Sequence, residues 1–262
     1  MKKIVIFLFG VTVFISVGRF YLNNETGEMS NDSTDIVQSL VKDGCTRENR
    51  LDNEPQYDRA LSLIQQRIDE NERALEVWKT EGILDEDGEE NLRFGHFPAN
   101  LANCIKIIEK DIDSNEEGYF IFNDEDIRPN YFPITVNSRY VFADNVLASM
   151  LIVHEMSHVQ QYINSLSKDE DSSCRDQEVS AFISQLDFYV LLNNEENYAF
   201  WLRMNDDKND KHPQVAIIET MIAINRESSC NIMDFECKDK NLRNELFKLI
   251  SEDKTYQHQC DF

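Results

Sequence analysis

The stretch 151-LIVHEMSHVQQYI-163 holds two histidines, His154 and His158, four positions apart inside an apolar run. Val146, Leu147, Met150, Leu151 and Val153 come first, and Val159 and Ile163 follow. The segment therefore reads as a buried helix, capped at Asp144 and running to about Leu166. Positions i and i+4 share a helix face, so both imidazoles can reach one metal ion. Glu155 is turned about 100° from His154 around the helix axis. From there its carboxylate can approach a water beside the ion without ligating the ion itself.

A catalytic zinc ion needs a third protein ligand and an open fourth position. Continuation as His-x-x-Gly-x-x-His is excluded, because Gln161 and Asn164 stand at the two required positions. The segment 176-DQEVSAFISQLDFY-189 offers another donor, Glu178, on a helical face shared with Ala181, Phe182, Gln185 and Tyr189. A carboxylate on a face lined by Ala, Phe and Tyr points inward, and an inward charge needs a partner such as a metal ion. The competing reading is an exposed first-turn glutamate favoured by the helix dipole.

His154-Glu155-x-x-His158, with Glu178 twenty residues further and the small Ala181 three beyond it, resembles the gluzincin branch of zinc metallopeptidases, the thermolysin-like clan. The resemblance covers roughly residues 131–192. It implies one zinc ion held by His154, His158 and Glu178, and Glu155 as general base in the hydrolysis of a peptide bond. It also implies a small sheet above the cleft whose edge strand binds substrate backbone, with Ile134–Phe142 as the candidate edge. Many members carry Asp four residues after the ligand Glu to orient the first histidine. Phe182 occupies that position here, so the partner of His154 is unassigned. Tyr140, Tyr189, Tyr198 and His212 are types able to stabilise an oxyanion, and no motif selects among them. The alternative is a catalytically inactive, zinc-retaining binding or structural protein of the cell envelope.

Around this centre the pattern is mostly helical. Leu61, Ile64, Ile68, Leu75 and Trp78 form a stripe over Glu54–Thr80, and Gly82 stands where a helix would stop. Leu101–Ile112 is expected to contain a further helix, carrying Cys104. Tyr119–Phe122 and Ile134–Phe142 read as strands. Helices are expected again at about Cys174–Leu192, Glu195–Met204, Pro213–Arg226 and Asn241–Ser251. The fold class is α+β, mainly helical: a zincin-like domain with a small sheet and two active-site helices.

Lys2 and Lys3 precede an apolar run from Ile4 to Val17, and Ser16-Val17-Gly18 ends it with small residues. Residues 1–18 thus read as a signal peptide or membrane anchor, and 19–50 as a linker. Residues 51–113 form an N-terminal helical region and 114–262 the zincin-like catalytic region. An exported protein is expected, periplasmic, extracellular or anchored with its catalytic region outside the cytoplasm. All six cysteines lie beyond the leader, and their even number suits disulfides whose pairing sequence does not give. A net charge of −23 disfavours nucleic acid and anionic lipid. The expected partner is a peptide or protein substrate, with membrane contact only through an N-terminal anchor.

Overall fold

The structure, a computed structural model, describes residues 52–83, 94–112, 117–120, 131–138, 145–167, 173–204, 219–224 and 235–252. The expected leader and linker, the Asp144 cap, Tyr140 and His212 lie outside these residues. Among the described residues no helix is long and apolar enough to cross a membrane.

Helix α1, Pro55–Thr80, starts where the sequence places it, with Pro55 in its first turn. It stops at Gly82, whose φ of 70° suits a residue without Cβ. Two capping bonds close its end: Ile83 N–H donates to Trp78 C=O at 2.8 Å, and Gly82 N–H to Lys79 C=O at 3.1 Å. Three short strands follow: β1 Ile105–Lys110, β2 Gly118–Phe120 and β3 Phe132–Asn137. Then come α2 Asn145–Ser167, α3 Cys174–Leu191, α4 Asn194–Met204 and α5 Phe235–Glu252. The result is mainly helical with one small sheet, an α+β arrangement. Its apolar core draws on residues before and after position 114 alike, from Tyr57 to Ile250.

Two expectations need correction. Residues 101–112 are not a helix: a 3-10 turn, Leu101–Cys104, leads directly into β1. The apolar residues of IKII fit either period, and β3 decides between them by pairing in parallel from Ile105↔Phe132 to Lys110↔Asn137. Asn53 reinforces the extended form, accepting from Ile107 N–H at 2.8 Å and donating to Ile105 C=O at 3.3 Å. The second correction concerns the substrate edge. Among the described strands the order is β1-β3-β2, so the strand expected at the edge is the central one. Its backbone is paired in parallel with β1 over 132–137 and antiparallel with β2 over Ile134–Val136, so those three central residues are flanked by strands on both sides. Pro133, which supplies no N–H, masks the true start of this strand in the sequence.

Helix α2 is the centre of the molecule. Residues 146–159 are buried without interruption, so the helix is enclosed all round rather than amphipathic. It packs against α1, α3 and the sheet. Ser149 Oγ ties it to α1, donating to Ala60 C=O at 3.2 Å. Strand β2 comes close over it at Gly118. A Cβ there would lie 2.9 Å from Thr135 O of β3 and 3.2 Å from Leu151 Cδ2 of α2. Gly118→Ala is therefore expected to cost about 1–3 kcal/mol by overpacking against backbone that cannot yield. Urea unfolding checks this, and an unchanged midpoint would show that β2 can lift away freely.

Candidate metal centre

Each donor is placed by a distinct local cause. His154 and His158 lie one turn apart in the enclosed middle of α2. Glu178 lies early in α3, whose start is set by Ser173: its Oγ accepts from Asp176 N–H at 3.2 Å. Helices α2 and α3 run against each other, with Ser157 Oγ and Ser184 Oγ 3.1 Å apart in their seam. Small side chains at that crossing let the helices approach, and Glu178 then reaches both rings. Glu178 Oε2 is 3.4 Å from His154 Nε2, and its Oε1 is 3.5 Å from His158 Nε2. The two Nε2 atoms are 3.3 Å apart.

These three side chains form a group that can hold a metal ion. His154 and Glu178 are fully buried, and His158 is 1% exposed. Burial drives His154 down to about 3 against the pull of Gln185 and Glu117, and lowers His158 as well. Both rings are thus neutral at pH 7. Burial raises Glu178 to about 7, with His158 pulling the other way. Neither oxygen of Glu178 has a hydrogen bond. Lone pairs of two neutral imidazoles and a carboxylate facing one another repel unless a cation lies among them. The spacing suits such an ion. Bonds of about 2.0–2.1 Å in a tetrahedron put ligand atoms about 3.3–3.4 Å apart. The observed separations are 3.3, 3.4 and 3.5 Å. The donor set fits the group the sequence predicts.

Glu155 is fully buried, and neither of its oxygens has a hydrogen-bond partner. Burial pushes its carboxyl well above the usual range, Glu178 and Glu117 add to that, and the Phe120 backbone N–H opposes it. Strand β2 is therefore the backbone beside this carboxylate. Glu117, immediately before β2, is also fully buried and bears electrostatically on both His154 and Glu155. Sequence reading gave it no role, since only the pairing of β2 with β3 brings it here. Its backbone C=O accepts from Asn137 N–H at 2.9 Å, which fixes its place.

Phe182, where the resemblance leads one to expect Asp, packs edge-on against His154 with ring centroids 4.9 Å apart. The amide of Gln161 stands at the His158 ring, its Oε1 2.9 Å from Nδ1, whereas the Nδ1 of His154 is buried without a hydrogen-bond partner. Of the oxyanion candidates, Tyr189 packs on Phe200 with centroids 5.3 Å apart, and Tyr198 is 66% exposed. Neither Cys104 nor Cys174 is a free thiol. No protein-family model, curated protein or solved structure matches the chain.

Proposed function

We propose that this chain is an exported zinc metallopeptidase of the gluzincin type, in which His154, His158 and Glu178 hold zinc and Glu155 is the general base. One observation carries the reading. Three lone-pair donors converge at 3.3–3.5 Å beside the fully buried carboxylate of Glu155. Two imidazoles and a carboxylate at tetrahedral spacing favour zinc among the common divalent ions. When bound, zinc supplies Lewis acidity and acidifies water to near neutrality. Glu155, held where its proton affinity is raised, takes a proton from the attacking water and returns it to the leaving amine. The substrate backbone is best accommodated along β2, next to Glu155. The leader pattern and the absence of free thiols among the described cysteines support export.

The experiment is hydrolysis of an unfolded polypeptide by the full chain with one equivalent of zinc. Cleavage is expected, lost with chelator and regained when zinc is restored. The burial of the centre favours a second reading. Structural zinc sites are closed, whereas catalytic sites keep an open position, and all four side chains here are 0–1% exposed. Stoichiometric zinc without any cleavage would replace the peptidase reading with that of a zinc-retaining structural protein.

A further inference from the structure

We propose that Gln161 is a positioning residue that holds His158 as the Nδ1–H tautomer with its Nε2 lone pair turned into the metal centre. The inference rests on the metal reading of the site but concerns atoms outside the ligand set.

The bond directions fix the assignment at His158. Gln161 Nε2 lies 2.8 Å from Gln177 C=O, a group that only accepts. The amide nitrogen must therefore face that carbonyl, and Oε1 must be the atom 2.9 Å from His158 Nδ1. An amide oxygen only accepts, so Nδ1 carries the proton. In a neutral ring Nε2 is then the bare nitrogen.

His154 is held differently. Its Nε2 is turned toward His158 and Glu178, while its Nδ1 is buried without a hydrogen-bond partner. Gln185, fully buried on α3, donates instead to Met150 C=O at 2.8 Å, which ties α3 to α2.

An amide orients the His158 ring without bringing a further carboxylate among Glu155, Glu178 and Glu117, all fully buried. Gln161 also links α2 to α3, projecting from α2 to Gln177.

The test uses the full chain with zinc and the near-isosteric variant Gln161→Met, which keeps side-chain length and loses the acceptor. Long-range 15N correlation spectra of the metal-free wild type should show His158 protonated at Nδ1, and the variant should lose that unique tautomer. Zinc affinity, read by competition with a chromophoric chelator, should fall roughly 10- to 100-fold. An affinity within threefold of wild type in the folded variant would overturn the proposal. So would an Nε2–H tautomer of His158 in the wild type, a measurement that needs no variant. A wild type that binds no zinc would defeat the metal reading, and its tautomer would still decide the role of Gln161.

Discussion

Glu155→Gln is expected to abolish hydrolysis while zinc stays bound. The substitution keeps the shape of a side chain sealed inside α2, so the fold and the three donors should persist. What it removes is the carboxylate beside the donors that is not itself one of them: Glu178 faces the histidines, and both rings are turned toward it. A positioned general base contributes typically about 100- to 10,000-fold, and turnover should fall by that factor. Zinc content by atomic emission and turnover on an unfolded polypeptide would be measured on the same preparation. Equal turnover by the Gln variant would remove Glu155 from the chemistry. Loss of zinc alongside activity would instead give Glu155 a part in holding the ion.

The second large effect has opposite signs for stability and for binding. In the unfolded chain Glu178 titrates near its ordinary 4.5, whereas the folded, metal-free protein holds that proton up to about 7. A raised carboxyl contributes its stability fully below about 4.5, and that contribution is lost as pH rises through about 7. At pH 8 the metal-free fold therefore bears the whole opposition to an ionised Glu178, roughly 3 kcal/mol. Glu178→Gln removes the titration. It should stabilise the metal-free protein by up to about 3 kcal/mol at pH 8 and leave it nearly unchanged at pH 4. His154, lowered to about 3, destabilises the fold as pH falls from 6.5, but equally in both proteins, so it cancels. Zinc affinity should fall by more than the roughly 10- to 100-fold that loss of an outer partner brings. Urea unfolding at the two pH values and a zinc titration check this. A variant less stable than wild type at pH 8 would show that some other cation already balances Glu178.

What sequence made legible here is what periodicity encodes. His154, Glu155 and His158 are local to one helix, so their spacing alone sets their relative directions. Glu178 is separated from them by a loop, yet its apolar face marked it as inward-turned, and the structure buries it completely. Strand β1 was not legible, because Ile105, Ile107 and Ile108 satisfy a helical stripe as well as a pleat until a partner strand is known. The rank of β3 within the sheet was hidden for the same reason: strand order follows from pairings that no single segment contains. Glu117 carries no local signal, being one acidic residue among many. Gln185 was visible on the Glu178 face, one turn past Phe182, but nothing local shows that its amide docks on Met150 C=O. Gln161 reads in sequence only as the residue that breaks a longer histidine motif, yet in the structure it holds His158.

The serine-to-serine contact where α2 and α3 cross, 3.1 Å between hydroxyl oxygens, bears on ion choice. With bridging amides to either side of it, neither helix can slide or spread without breaking polar links. The cage is thus cut to size before any guest arrives. Calcium, whose bonds are about 2.3–2.6 Å and number six or more, would have to force the walls apart, and magnesium would demand an octahedron that three donors do not furnish. Rigidity at this seam acts as a sieve, admitting small ions content with few neighbours.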